Sequence, residues 1–132
     1  MFKLNTNKIN LSIGARGEKA AVTYLKKLNY TILETNFCNK TGRRLGEIDI
    51  VAKEGEEIVF IEVKTRTISS GGSFLPEENI NRSKLYKLNK AAVFYLSKKQ
   101  LLDATYRFDA VTLIADLKEN SATLRHIKNI FI

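Results

Sequence analysis

Residues 46–65 read GEIDIVAKEGEEIVFIEVKT and contain two apolar runs that are rich in isoleucine and valine. Runs of this composition are typical of buried β-strands. The intervening residues, 53–56, read KEGE and have the composition of a tight hairpin turn. Residues 46–52 and 58–65 are therefore predicted to form two antiparallel strands, and the rest of the fold is built around this hairpin.

Carboxylates interrupt both strands of the predicted hairpin, and the length of the loop decides whether they meet. If Gly55-Glu56 form a two-residue loop, Asp49 lies directly opposite Glu62. If Glu54-Gly55 form it, Glu62 lies diagonal to Asp49. Because side chains alternate with a period of two, both registers place these carboxylates on one face, roughly 5 Å or 7–8 Å apart between Cβ atoms. A loop of odd length without a bulge would separate them.

The second strand places Glu62 and Lys64 at the end of a face that is otherwise apolar. A simple ion pair between them is one interpretation, since a buried charge needs a partner. Asp49 favours a second interpretation, because two close carboxylates repel unless a cation lies between them. Mg²⁺ and Mn²⁺ take carboxylate oxygens as ligands. Lys64 would lie beside the metal and could orient an attacking water or offset negative charge on a phosphate. The hairpin therefore predicts a phosphodiesterase site.

Helices and further strands are predicted on either side of the hairpin. The pattern predicts a helix from Ser12 to about Leu28, a strand at 30–37, a helix from Pro76 to about Lys98, and strands at 106–114 and 123–130. The order α-β-β-β-α-β-β predicts an α/β fold in which a central mixed five-stranded β-sheet is flanked by helices. Residues 1–10 are predicted to be a flexible N-terminal segment, and residues 11–132 to form a single domain.

The chain is basic, with 22 lysines and arginines against 14 acidic residues and a net charge of +8. A nucleic acid is an expected partner, because clustered cations release counterions from a phosphate backbone. The longest apolar run, Ala91–Leu96, is too short to cross a bilayer, and no signal-peptide segment is evident near the N-terminus. A cytoplasmic protein without membrane association is predicted.

Glu18 flanks the apolar stripe of the first predicted helix, where it is either a solvated residue or a third carboxylate of the site. It belongs to an ordered set of residues that extends from about Ile13 to Phe131. The set comprises Gly14, Gly17 and Glu18, Asn36, residues 46–49, residues 60–66, Lys84 and residues 107–109. This set resembles the YraN-like family of small bacterial proteins, which is similar to archaeal Holliday-junction resolvases within the restriction-endonuclease-like PD-(D/E)xK superfamily.

The resemblance implies a restriction-endonuclease-like fold with a site for Mg²⁺ or Mn²⁺. Asp49, Glu62 and Lys64 match the strand carboxylates and lysine of the superfamily, and Glu18 matches a glutamate on its first helix. All four would be catalytic, and Asp49, Glu62 and Glu18 would be metal ligands. Ile48 stands where the superfamily signature has proline, a departure that leaves the ligand in place. A homodimer is also implied, because junction resolvases act as dimers.

Four basic residues are candidates for contacts with nucleic acid. Arg43, Arg44 and Arg66 flank the two central strands and could contact the phosphate backbone, which positions a duplex without reading its sequence. Lys84 borders the buried stripe of the second long helix, so it either points into the cleft or is solvated. These residues predict recognition of backbone or shape.

Together these features predict a metal-dependent DNA endonuclease that hydrolyses phosphodiester bonds, with branched DNA such as a Holliday junction as the substrate that the resemblance implies. The alternative is a non-catalytic nucleic-acid-binding module that retains the nuclease fold. The clustered acids favour the enzyme, because a protein that only binds phosphate has no need of carboxylates beside it.

Overall fold

A computed structural model describes residues 2–3, 12–38, 46–68 and 82–130. Its elements are β1 (Phe2–Lys3), α1 (Ile13–Lys27), β2 (Thr31–Cys38), β3 (Glu47–Glu54), β4 (Glu57–Ile68), α2 (Arg82–Lys98), β5 (Tyr106–Asp116) and β6 (Ser121–Ile127). The predicted order α-β-β-β-α-β-β is therefore confirmed, with boundaries that differ from the predicted ones by a few residues. No helix among these residues is long and apolar enough to span a membrane.

The strands form one mixed sheet in the order β1-β6-β5-β4-β3-β2. Strands β4 and β5 are parallel, and the other recorded pairings are antiparallel. Five of these strands make up the predicted central sheet. The sixth strand, Phe2–Lys3, lies within the N-terminal segment predicted to be flexible, and it pairs with Ala122 and Ser121 of β6. Two residues are too few to show the alternation by which a strand is recognised in a sequence.

The sheet separates two hydrophobic clusters because alternate residues of its strands face opposite helices. In β4, Val59 and Ile61 pack towards α1, whereas Ile58 and Phe60 pack towards α2. The α1-side cluster includes Ala21, Leu25, Ile50, Val63 and Val111, and the α2-side cluster includes Phe37, Ile48, Leu85, Leu88 and Phe108. Full burial of a valine, leucine, isoleucine or phenylalanine side chain in these clusters contributes roughly 1.5–3 kcal/mol through removal of its surface from water.

Helix α1 begins and ends where its sequence predicts. The Ala15 backbone N–H donates a hydrogen bond to Ser12 Oγ at 3.1 Å, and Asn29 follows the helix with a φ of 68°. Gly17 brings the helix close to the sheet, since a Cβ atom at this position would lie 1.9 Å from Thr65 Oγ1. This close approach sets the distance between α1 and the part of β4 that carries the candidate site.

The hairpin adopts the first of the two predicted registers. Glu54 pairs with Glu57, and Ile50 pairs with Ile61, so Gly55-Glu56 form the two-residue loop. The last recorded β3–β4 pair is Ile50 with Ile61. Strand β3 continues beyond that point only in its pairing with β2, where Ile48 lies opposite Phe37. Strands β3 and β4 therefore separate at the level of Asp49 and Glu62.

A local irregularity accompanies this separation. Ile48 packs in the α2-side cluster and Ile50 in the α1-side cluster, although residues two apart in a regular strand share a face. The alternation of β3 is thus interrupted at Asp49. The opposite position in β2 is Asn36, which has a φ of 54°, a left-handed conformation that asparagine tolerates better than most residues. The prediction of a regular strand through Asp49 missed this interruption.

Helix α2 is described from Arg82 to Lys98, so its predicted start at Pro76 lies outside the described residues. The buried stripe that Lys84 was predicted to border includes Leu85, Leu88, Ala92 and Leu96. Gly46 allows α2 to approach β3 closely, because a Cβ atom there would lie 2.9 Å from the backbone oxygen of Lys87. The helix is therefore held over the point at which β3 and β4 separate.

Candidate active site

A cleft of ≈ 370 Å³ opens where β3 leaves β4, and α2 forms its other wall. Its lining is polar at the strands and basic at the helix. The lining residues are Gly46, Glu47, Asp49, Glu62, Val63, Lys64, Lys84, Lys87 and Leu88. The structure therefore brings Asp49, Glu62 and Lys64 together with Lys84, and it places the cleft at the end of the hairpin that the sequence predicts.

The carboxylate of Asp49 lies between the two separated strands. Its Oδ2 atom accepts a hydrogen bond from the backbone N–H of Val63 at 2.8 Å. If β3 and β4 continued to pair, a backbone carbonyl would accept this bond instead. Burial and the negative charge of Glu62 raise the pKa of Asp49 to about 7, although the Val63 hydrogen bond opposes this change. The protonated Asp49 carboxyl can also donate a hydrogen bond to Glu62.

Glu62 is the most buried acid of the cleft, with a side chain that is 6% exposed. Its Oε1 atom lies 2.5 Å from Lys84 Nζ and 3.7 Å from Lys64 Nζ. Burial and the neighbouring ammonium of Lys84 lower the pKa of Lys64. Burial acts in the same direction on Lys84, but hydrogen bonds to Glu62 and Lys64 and the charge of Glu62 outweigh it and raise the pKa of Lys84. Two ammonium groups thus share one buried carboxylate.

Glu18 approaches the same group of charges from α1, although it does not line the cleft. The pKa of Glu18 is raised, first by partial burial and then by the negative charges of Glu62 and Glu47. A hydrogen bond with the Asn36 side chain opposes this increase without cancelling it. Asn36 therefore links Glu18 to the irregular part of β2. Asn36 could be placed in the site only by resemblance, because its left-handed conformation and its contact with α1 depend on the folded arrangement.

Two carboxylates of the cleft are suited to a divalent cation. No group of three or more acidic, histidine or cysteine side chains among the described residues is arranged to hold an ion. The Asp49–Glu62 pair nevertheless supplies two adjacent carboxylates in a polar cleft. Mg²⁺ commonly uses one or two carboxylates and retains several waters, so this pair fits that ion. Glu18, as a member of the charge cluster outside the cleft, fits a role through water better than a direct bond.

The other predicted nucleic-acid contacts have separate outcomes. Arg66 lies on the same face of β4 as Lys64, and its charge contributes to the lowered pKa of Lys64. Lys84 points into the cleft, which was one of two alternatives. Lys87 also lines the cleft, since it follows Lys84 by about one helical turn and is thus on the same side of α2. Arg43 and Arg44 lie outside the described residues.

A second polar network occupies the α1 side of the sheet. Asp109 is 0% exposed and accepts hydrogen bonds from Arg107 Nε at 2.9 Å and from the Asn129 backbone N–H at 2.9 Å. His126 Nε2 lies 2.8 Å from Asp109 Oδ2, and His126 Nδ1 lies 3.0 Å from the Tyr24 hydroxyl. Hydrogen bonds to His126 and Arg107 outweigh the effect of burial and lower the pKa of Asp109. The network joins α1, β5 and β6, and it makes Asp109 the structural partner of Arg107 and His126.

Comparison with known proteins assigns the chain to a family. The uncharacterised protein family UPF0102 matches residues 17–113. A UPF0102 protein of Clostridium acetobutylicum is 40% identical over 126 residues, which cover 95% of this chain and 98% of that protein. A UPF0102 protein of Geobacter metallireducens is 44% identical over 123 residues, which cover 92% and 93%. The chain therefore belongs to the UPF0102 family, the YraN-like family that its motifs resemble.

Proposed function

We propose that this protein is a metal-dependent endonuclease that hydrolyses phosphodiester bonds of DNA. The observation that carries the proposal is the pairing of a buried carboxylate, Glu62, with a half-buried one, Asp49, in a cleft whose remaining charged groups include Lys64 and Lys84. Two carboxylates this close repel, and this repulsion adds to the effect of burial in raising the pKa of Asp49. A divalent cation between them would remove the repulsion.

Asp49 and Glu62 would hold Mg²⁺ or Mn²⁺, and Glu18 would act through a coordinated water. When bound, the ion would supply a Lewis acid for the phosphoryl oxygens. The Val63 N–H fixes the Asp49 carboxylate in the plane of the sheet, so one oxygen is oriented before any ligand arrives. Asn36 would similarly orient Glu18. Such supporting hydrogen bonds hold metal-binding groups in a productive geometry.

Lys64 would act on the scissile phosphate or on the attacking water. Its Nζ atom lies 3.7 Å from Glu62 Oε1, and at this level β4 pairs with β5, where Lys64 lies opposite Thr112. Burial and the adjacent Lys84 lower its pKa, which brings the ammonium closer to the range in which a proton can be exchanged. In its charged form it would offset the negative charge that develops in the transition state.

The basic wall of the cleft supports DNA as the substrate. Lys84 and Lys87 on α2 face the acids on β3 and β4, so a phosphodiester could lie between cations on one side and a metal on the other. The net charge of +8 would strengthen association with the phosphate backbone. The family resemblance implies branched DNA, such as a Holliday junction, as the substrate class. A homodimer would suit the two-fold symmetry of such a junction.

The proposal is tested by incubating the purified protein with Mg²⁺ or Mn²⁺ and with linear or four-way-junction DNA of matched sequence. Cleavage should require the metal and should fall by about 10²-fold or more in Lys64→Met and in Glu62→Gln. Glu56→Gln is the matched control, since this hairpin residue has a side chain that is 98% exposed. Cleavage that is equal in all four proteins would identify a contaminating nuclease and refute the proposal.

One observation favours the alternative of a non-catalytic nucleic-acid-binding module: among the described side chains, no three acidic, histidine or cysteine groups are already arranged around an ion. This module would bind DNA in a salt-sensitive manner and would cleave it with neither metal. Asp49→Ala would leave its affinity for DNA unchanged. The enzyme, in contrast, should lose metal-dependent affinity for DNA in this variant.

A further inference from the structure

Lys84 forms a short ion pair in the cleft with Glu62, which is one of the proposed metal ligands. Lys84 Nζ lies 2.5 Å from Glu62 Oε1, and the Lys84 side chain is 30% exposed while that of Glu62 is 6% exposed. A charge as buried as that of Glu62 requires a compensating cation. In the protein without metal, the ammonium of Lys84 supplies this cation.

The Lys84 ammonium and a divalent ion cannot both remain beside Glu62 without strong repulsion. Two like charges about 4 Å apart in a partly desolvated site repel by an amount that can change a binding constant by more than tenfold. Lys64 also approaches Glu62 Oε1, but at 3.7 Å and from the same strand, so its position is constrained. Lys84 reaches Glu62 from a different element and can leave by rotation of its own side chain.

The backbone near Lys84 limits where that side chain can go. The close contact between Gly46 and the Lys87 backbone oxygen keeps α2 against β3 at the cleft. Lys84 lies about one turn before Lys87, so its ammonium stays within reach of the cleft even after it leaves Glu62. A DNA phosphate entering the cleft would offer Lys84 a second anionic partner there.

We propose that Lys84 occupies the cation position beside Glu62 in the metal-free protein and transfers to a DNA phosphate when a divalent ion binds. This inference rests on the proposed function and adds a consequence to it. DNA draws the competing ammonium away from Glu62, so DNA raises the affinity for metal. By linkage, metal raises the affinity for DNA by the same factor. Lys84 is thus the residue that couples the two ligands.

The coupling can be measured without catalysis by calorimetric titration of the full-length protein with Ca²⁺, in the absence and presence of a short DNA duplex. Lys84→Met should bind Ca²⁺ roughly tenfold more tightly than the wild type, and DNA should no longer increase that affinity. Lys90→Met is the matched control, because it removes the same charge from an exposed position of α2. Lys84→Arg keeps a cation at the position and should retain the coupling.

The outcomes separate this inference from the proposed function. Equal Ca²⁺ affinity in Lys84→Met and Lys90→Met, with binding that is lost in Glu62→Gln, would overturn the role of Lys84 and leave the metal site standing. Absence of Ca²⁺ binding to the wild type, to Lys84→Met and to Lys84→Arg would overturn the metal site itself. Circular dichroism of each variant shows that the fold is retained.

Discussion

The Asp49 carboxylate accepts a hydrogen bond from the Val63 backbone N–H across two strands that have stopped pairing. This bond holds a half-buried carboxylate beside Glu62, at a place where β3 and β4 no longer pair with each other. The geometry orients the carboxylate before a ligand arrives, and the raised pKa of Asp49 reflects the cost of this arrangement.

Asp49→Asn should therefore stabilise the protein in the absence of divalent ions. At about pH 8 the native carboxylate is ionised in a half-buried site beside Glu62. A neutral amide that can still accept the Val63 N–H removes the cost of this ionisation, which we expect to be roughly 1–3 kcal/mol. Thermal unfolding in the presence of a chelator measures the difference. Mg²⁺ should raise the melting temperature of the wild type and leave that of Asp49→Asn unchanged. Asp103→Asn, at an exposed position, should behave as the wild type in both conditions.

Gly17→Ala should disrupt the contact between α1 and β4. The added Cβ atom would lie 1.9 Å from Thr65 Oγ1 and 3.1 Å from Thr65 Cβ, so the Thr65 side chain or the helix must shift, at a cost of about 1–3 kcal/mol in the free energy of unfolding. Gly14→Ala is the control within the same helix, since its Cβ atom would meet nothing closer than 4.0 Å. Better helix propensity should make Gly14→Ala neutral or stabilising by up to about 1 kcal/mol. Similar denaturation midpoints for the two variants would contradict the close packing at Gly17.

Asn36→Gly separates the two contributions of Asn36. Glycine retains the left-handed backbone, so the free energy of unfolding should change by less than about 1 kcal/mol. The hydrogen bond to Glu18 is lost, and metal-dependent cleavage and metal affinity should fall by roughly 10–100-fold. Asn120→Gly replaces another asparagine of positive φ, at an exposed turn. It should leave the cleavage rate and the metal affinity unaltered. An active Asn36→Gly enzyme would show that Glu18 needs no such support.

The buried Asp109 network should make stability depend on pH at the acidic end. The pKa of Asp109 is lower in the folded protein than its ordinary value of 3.8, so its stabilising contribution is present above pH 3.8 and is lost as the pH falls through the folded value. Asp109→Asn should cost about 3–5 kcal/mol at neutral pH, because Arg107 and His126 lose their charged partner. The difference from the wild type, measured by urea unfolding, should narrow below about pH 4. A constant difference across this range would mean that the charge of Asp109 is unimportant.

The hairpin at the centre of the site was predictable because its register follows from two local rules. Side chains alternate with a period of two, and the KEGE segment restricts the loop to a few lengths, so Asp49 and Glu62 could be paired from the sequence. The same rules missed the interruption at Asp49, since they assume a regular strand. They also missed β1, which is only two residues long.

Contacts that join separate elements were harder to predict. The Lys84–Glu62 ion pair depends on the packing of α2 against β3, and the Asn36–Glu18 hydrogen bond depends on the position of α1. Helical spacing could show that Lys84 borders a buried stripe, but not which carboxylate its ammonium meets. Glu18 was assigned to the site by resemblance for the same reason.

The gap between β3 and β4 joins parts of the domain that otherwise belong to different layers. Helices α1 and α2 pack in separate hydrophobic clusters, yet Glu18 from one and Lys84 from the other both interact with Glu62. A ligand bound in the gap would be held from both layers, and its binding energy would favour their association. Unfolding would then be more cooperative, with a sharper thermal transition, when a ligand is bound between β3 and β4.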